Sequence, residues 1–194
     1  MKRKSFLKSI FGAGALLSVP YCSNPEELDE INHQINGLTD KCKGNMVAFK
    51  SVPIDKVKVG LIGIGNRGKT LIQMFDWLIE NEKAEIVALC DLDQKNIDYA
   101  LNHLKSKQSL IPKTYGNGKN DWENLAKLEE VDLLLIATPW EWHTPMAIFG
   151  MENEKHVASE VPIAYTLEDC VKIVQIAERT SKHCIMIENC CYNR

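Results

Sequence analysis

The 194 residues suffice for one sizeable domain, or for one domain with an appendage, and 45% apolar against 25% charged residues is an ordinary globular balance. A net charge of −3, with no Lys/Arg stripe interleaved with aromatics, argues against a nucleic-acid partner. The seven cysteines form no Cys-x-x-Cys pair and no zinc spacing, so no metal site is expected, and adjacent Cys190 and Cys191 read as packed or loop thiols.

The first twenty residues stand apart. Lys2, Arg3, Lys4 and Lys8 form a positive start, and residues 10–19 are an apolar run of ten. That run is too short to span a bilayer but suits the apolar stretch of a signal peptide over residues 1–22. Arg3-Lys4-Ser5-Phe6-Leu7-Lys8 resembles a twin-arginine export signal with Lys4 in the second arginine place. Ordinary unfolded export, or an amphipathic helix that stays attached, remain open. Pro20 and Tyr21 stand where a lipid-attachment cysteine needs small residues, so an anchor at Cys22 is disfavoured. Residues 23–54, with Pro25, Gly37, Gly44 and Pro53, read as a spacer or arm with a short helix over 26–35.

From Lys56 the pattern becomes regular. Val57-Lys58-Val59-Gly60-Leu61-Ile62-Gly63 reads as a buried strand. A helix follows, with Leu71, Met74/Phe75 and Leu78 at helical spacing. Residues 85–90 form a second strand closed by Asp91, and Ile97, Leu101 and Leu104 mark another helix. Residues 131–137 are an apolar strand capped by Thr138-Pro139, with a shorter helix over 145–152 and a short strand over 156–159. Thr166 and Asp169 make a capping box for a helix carrying Leu167, Val171, Val174 and Ala177, and residues 184–187 close the series as a strand. Strand and helix alternate, which predicts a Rossmann-type, doubly wound α/β fold with a mostly parallel sheet over residues 55–194.

Gly63-Ile64-Gly65-Asn66-Arg67-Gly68 is a Gly-x-Gly-x-x-Gly loop, made specific by the strand before it and the helix after it. The first glycine permits the turn, the second lets a pyrophosphate approach, and the third allows close helix–strand packing. The helix start supplies free N–H groups for the phosphates, against which Asn66 and Arg67 should lie. Asp91 ends the second strand, where a carboxylate accepts ribose hydroxyls and repels a 2′-phosphate, so NAD is expected over NADP. The alternative for Asp91 is a turn aspartate, since Asp91-Leu92-Asp93 would cap a helix. No Gly-Lys-Ser/Thr follows the glycines, which excludes a Walker loop.

Four further segments accompany this loop: Asp121-Trp122-Glu123-Asn124-Leu125, Ala137-Thr138-Pro139-Trp140-Glu141-Trp142-His143, His156-Val157-Ala158-Ser159-Glu160-Val161-Pro162 and Glu188-Asn189-Cys190-Cys191-Tyr192. Together they resemble the Gfo/Idh/MocA family of NAD(P)-dependent sugar oxidoreductases, over residues 57–192. The resemblance is strongest to glycoside hydrolase family 109, the NAD-using α-N-acetylgalactosaminidases of carbohydrate metabolism. The broad family's Glu-Lys-Pro motif carries an acid/base lysine, whereas this chain has Val161, which cannot transfer a proton. The Glu-Val-Pro variant is that of the glycosidase branch.

The resemblance implies roles. Trp140, Glu141, Trp142 and His143 would line the nicotinamide half of NAD, Glu160 and Val161 would meet the nicotinamide ribose, Asn189 would meet the nicotinamide end, and Tyr192 would serve as catalytic proton donor/acceptor at the sugar. Taken singly, these residues also fit packing, turn or interface roles. The implied reaction is redox-neutral: hydride leaves sugar C3, the C2 proton becomes acidic, the aglycone is eliminated, water adds and the hydride returns. The resemblance also implies a C-terminal α+β substrate domain not contained in these 194 residues, a homo-oligomer in the longer form, and no sugar release from this chain alone. An exported, periplasmic NAD protein would gain from folding before export, which fits the twin-arginine-like start. A sugar oxidoreductase with net NAD turnover, or a non-catalytic NAD-binding module, are the alternatives.

Overall fold

The computed structural model describes residues 44–188, together with His33, Gly37 and Cys42. The chain divides into two units, 1–41 and 42–194. The signal-like segment, Cys22, most of the helix expected over 26–35, and the whole of Asn189 to Tyr192 lie outside the described residues.

The second unit is built on a six-stranded sheet in which every pairing is parallel. In chain order the elements are β1 (Val57–Ile62), α1 (Asn66–Met74), α2 (Asp76–Glu80), β2 (Ala84–Cys90), α3 (Gln94–Leu104), β3 (Lys113–Tyr115), α4 (Trp122–Ala126), β4 (Leu133–Ile136), α5 (His143–Glu152), β5 (His156–Ser159), α6 (Leu167–Thr180) and β6 (Cys184–Met186). The strand order β3-β2-β1-β4-β5-β6 reverses between β1 and β4. That reversal opens a crevice at the carboxyl ends of β1 and β4, where folds of this kind bind ligands.

Both faces of the sheet are covered, which is why its strands read as continuous apolar runs. Along β4, Leu134 and Ile136 join one buried cluster and Leu135 joins the other, as the two-residue strand period requires. Helices α1, α2 and α3 supply Leu71, Ile72, Ile79, Ile97, Ala100 and Leu104 to one cluster. Helices α4, α5 and α6 supply Trp122, Leu125, Met146, Met151, Ile173 and Ile176 to the other. Each buried Leu, Ile or Met among them contributes roughly 1.5–3 kcal/mol of burial free energy.

Five expected strands are present, and the differences have physical causes. The single helix read after the glycine loop is broken at Phe75, leaving Met74 61% exposed on the outer side. β3 was not expected, because Lys113-Thr114-Tyr115 carries no apolar run; it is a short edge strand that pairs through Leu89 and Thr114. α4 was not expected either, being five residues long. Thr166 caps α6, its Oγ1 accepting from the Asp169 N–H at 3.0 Å. The arm is folded from Gly44 onward: a 3-10 turn (Asn45–Ala48) lies on α6, with the Gly44 N–H donating to Glu178 and Met46 against the core. A turn this short leaves no periodic trace in sequence.

Candidate functional site

The glycine loop forms because β1 must turn sharply into α1. Gly63 has φ +89°, and a Cβ there would come within 2.6 Å of the Ala137 carbonyl oxygen at the end of β4. Gly68 lies in the first turn of α1, where a Cβ would come within 2.1 Å of the Gly63 carbonyl oxygen, so the helix rests directly on the loop. Gly65 is different. A Cβ there would meet nothing within 4 Å, and no packing demands a glycine. The space over Gly65 is an open cradle above the start of a nine-residue helix that no side chain caps. A helix start without a side-chain cap, facing an open cradle, meets the requirements of a pyrophosphate.

Asp91 stands at the end of β2 beside this loop. One carboxylate oxygen accepts from the Ile64 N–H at 2.6 Å, and the other from the Asp93 N–H at 2.8 Å and Asn96 Nδ2 at 3.1 Å. A carboxylate offers about four acceptor sites, so one remains for a ribose hydroxyl without rearrangement. Capping of α3 falls to the neighbouring Asp93, whose side chain accepts from the Lys95 N–H. Asp91 nevertheless fills part of the turn role weighed for it in the sequence, since its bond from the Asp93 N–H closes an Asx turn after β2.

Across the crevice, Glu160 follows β5, with its N–H donating to the Ile136 carbonyl at 2.9 Å. Its carboxylate accepts from Arg67 Nε at 2.6 Å, the two side chains being 11% and 32% exposed. Two residues expected to touch different halves of the cofactor therefore bind each other, bridging the first turn of α1 to the end of β5. Half-buried Val161 comes next. Asn66 is exposed on the first turn of α1.

The Trp-Glu-Trp-His segment sends its side chains different ways. His143 is 1% exposed, with Nδ1 at 2.8 Å from the Pro162 carbonyl and Nε2 at 2.8 Å from the Thr138 carbonyl. It acts on the site by joining the β4 turn to the β5 turn. Trp142 is half-buried and packs edge-on to Trp122 at 6.4 Å, with Lys119 Nζ 5.0 Å from its ring centroid. Trp140 is 58% exposed and leans on Tyr165, while Glu141 is exposed. The loop after β3 is held by Asp121, which accepts from the Gly116 and Asn117 N–H groups at 2.8 and 2.9 Å. Those bonds, the one from Asn117 foremost and the one from Asn124 next, hold its carboxyl below the usual carboxylate range. Tyr165 and the Arg67–Glu160 pair escaped the sequence reading, since neither pairing has a local signal. Cys90, just before Asp91, is pushed up to about 12 by burial, with the Asp121 and Asp91 carboxylates adding to the effect. Among the described residues no cluster of His, Cys, Asp or Glu could hold a metal ion. No helix among them is long and apolar enough to cross a membrane.

The 3-2-1-4-5-6 parallel sheet, the glycine cradle and the carboxylate at the end of β2 define a dinucleotide-binding Rossmann domain. A profile described as "Oxidoreductase family, NAD-binding Rossmann fold" matches residues 57–188, and the chain belongs to that family, Gfo/Idh/MocA, with NAD as its cofactor. Among curated relatives, a glycosyl hydrolase family 109 protein of Shewanella sp. (strain W3-18-1) is 43% identical over 150 residues, covering 77% of this chain and 32% of the relative. A protein of Bacteroides fragilis named alpha-N-acetylgalactosaminidase is 41% identical over 141 residues, covering 73% and 32%. The chain spans about a third of the length of the curated relatives it matches. Among solved structures, the WlbA dehydrogenase of Bordetella pertussis, in complex with NADH and UDP-GlcNAcA, superposes with a TM-score of 0.60 at 22% identity, covering 74% of this chain and 40% of its own. An NAD-binding protein from Listeria innocua gives 0.57 at 26%, covering 70% and 36%.

Proposed function

We propose that this chain is the NAD-binding part of a glycosidase that releases sugar from α-N-acetylgalactosaminides without net oxidation. The observation that carries the reading is Val161: a side chain with no proton to give stands beside Glu160, where an ordinary sugar dehydrogenase of this family needs its acid/base lysine. The names of the relatives at 41–43% identity agree with it.

The bound cofactor supplies a reversible hydride acceptor. The chain's own residues do the rest. N–H groups around Gly65, Asn66 and Arg67 hold the pyrophosphate, and Asp91 accepts a hydroxyl of the adenosine ribose. Trp142 and His143 shape the nicotinamide side of the crevice, with Glu141 at its rim. Glu160 holds Arg67 across the crevice and, with Val161, meets the nicotinamide ribose. The family resemblance assigns Asn189 to the nicotinamide end and Tyr192 to proton exchange with the sugar. The remaining substrate contacts belong to a longer form with a second domain, which also supplies the surface for a homo-oligomer. We further infer export to the periplasm, from the basic start and apolar run of residues 1–22.

A chromogenic α-N-acetylgalactosaminide supplied with NAD tests the reading. A version extended by the second domain should release sugar without accumulating NADH, and the 194-residue chain should release none. NADH rising in step with sugar consumed would instead support a net oxidoreductase, a reading favoured by the dehydrogenases among the structural neighbours.

A further inference from the structure

At the amino ends of the parallel strands, on the far side of the sheet from the glycine loop, two histidines face each other. His156 opens β5, and its Nδ1 accepts the backbone N–H of His183, the residue before β6, at 3.0 Å. The two ring centroids are 5.2 Å apart, and the ring of Phe49, on the arm, is 5.0 Å from that of His183. One imidazole thus supports the start of β6 and, through His183, the end of the 3-10 turn that lies on α6. The turn into β6 depends on such support. Ser181 is held at φ +54°, a left-handed backbone that residues other than glycine rarely keep unless neighbours fix it.

A backbone N–H can only donate, so this bond keeps the His156 proton on Nε2 and occupies the Nδ1 lone pair. Adding a second proton takes that lone pair, and the bond to His183 must break. Burial holds the imidazole below its ordinary value of 6.5; His183 and Lys182 add to the effect, and Asp132 opposes it. The charged groups around the cleft that His156 lines are Lys182 on the α6–β6 turn, Asp132 just before β4, Glu154 and Lys155 on the α5–β5 turn, Lys127 and Glu129 between α4 and β4, and Glu152 at the end of α5. The arm presents uncharged Ile54 to the same cleft. Two of the carboxylates are already engaged, Asp132 by the Lys58 N–H at 2.8 Å and Glu152 by Arg179.

We propose that His156 is an acid-released latch: with its ring neutral it fastens the start of β6 and the Phe49 end of the arm to the sheet, and when the ring takes up a proton both come loose. The fastening is complete above about pH 6.5 and is lost as pH falls through the lower value of the folded ring. Release is confined to that corner, because the Gly44 N–H still donates to Glu178 and the Ile187 N–H to the Ser159 carbonyl at 2.8 Å.

Hydrogen exchange of the 194-residue chain, read by mass spectrometry at pH 7.5 and pH 5.0 and corrected for intrinsic rates, tests the latch. A released ring of ordinary proton affinity is protonated about thirty to one at pH 5.0, which caps the gain in opening at about thirtyfold. Peptides 45–52 and 181–187 should open about five- to thirtyfold more at pH 5.0 than at pH 7.5, while the β1 peptide 57–62 changes less than about twofold. In His156→Asn the amide Oδ1 can accept the same N–H and takes up no proton, so both peptides should open alike at the two pH values. An equal rise in His156→Asn, no rise in the unmutated chain, or a rise that β1 shares would each overturn the proposal. If His156→Asn fails to fold, nitrogen NMR of the histidine rings in the unmutated chain decides. A proton on Nε2 at pH 7.5 and a titration midpoint below 6.5 are expected for His156, and a proton on Nδ1 or a midpoint at or above 6.5 would overturn the latch.

Discussion

Replacing Gly65 and Gly68 one at a time by alanine should separate binding from folding. At Gly68 the new Cβ would sit 2.1 Å from the Gly63 carbonyl oxygen, with the carbonyl carbon at 2.9 Å. Ordinary contact begins near 3.4 Å, so the start of α1 must lift by about 1.3 Å (3.4 − 2.1). Both clashing groups are backbone, and no side chain can swing aside. Overpacking of this kind costs about 1–3 kcal/mol, and a backbone clash this deep belongs near 3. At about 2–4 °C per kcal/mol for a unit of this size, the melting temperature should fall by about 6–12 °C. The lifted N–H groups would also miss the pyrophosphate, and losing one hydrogen bond to a charged group costs about 1.5–3 kcal/mol, or tenfold and more in affinity. At Gly65 the Cβ meets nothing within 4 Å and φ is −67°, so stability should hold within about 0.5 kcal/mol. That methyl group would nevertheless fill the cradle, and NAD affinity should fall at least tenfold. Thermal melts followed by circular dichroism read the first effect and calorimetric NAD titration the second. The cradle assignment fails if Gly65→Ala binds NAD as tightly as the unmutated chain, and the packing argument fails if Gly68→Ala melts unchanged.

Three further outcomes are expected. His143→Ala removes the ring that fills the space between the Thr138 and Pro162 carbonyls and donates to one of them, at a cost of about 2–4 kcal/mol in urea unfolding; a loss below about 0.5 would contradict its linking role. Burial pushes the Cys90 and Cys184 thiols up from 9.0 to about 12, so the folded state holds them neutral, and the stability this gives is complete below pH 9 and lost as pH climbs toward 12. Native iodoacetamide labelling at pH 8 should accordingly modify exposed Cys170 well before Cys90 or Cys184, and equal rates on peptide mapping would contradict the burial. In an exporting bacterial host the mature protein should lack about the first twenty residues on intact-mass analysis; a chain still starting at Met1 in the cytoplasm would refute export.

Much of the fold was legible because parallel strands covered on both faces must be apolar throughout, as Val57 to Ile62 and Leu133 to Ile136 are. The glycine loop was legible because turn, approach and packing each restrict the side chain at a fixed spacing. What escaped depends on contacts far apart in sequence. β3 owes its existence to β2, its own residues carrying no strand pattern. The Arg67–Glu160 bond joins residues 93 positions apart, and Tyr165 acquires interest only once Trp140 is seen beside it. His143 was marked by its motif, but that its ring lies between two backbone carbonyls could be seen only in the structure.

The central claim, that this chain carries an NAD site built on the glycine cradle and Asp91, is tested most directly by calorimetric titration of the 194-residue chain with NAD and NADP. Asp91 already accepts three hydrogen bonds and has room for one ribose hydroxyl, whereas a 2′-phosphate would meet its carboxylate. NAD should bind at least tenfold more tightly than NADP, and Asp91→Asn should weaken NAD and narrow that gap. Equal affinity of the unmutated chain for both cofactors, or no binding of either, would contradict the account.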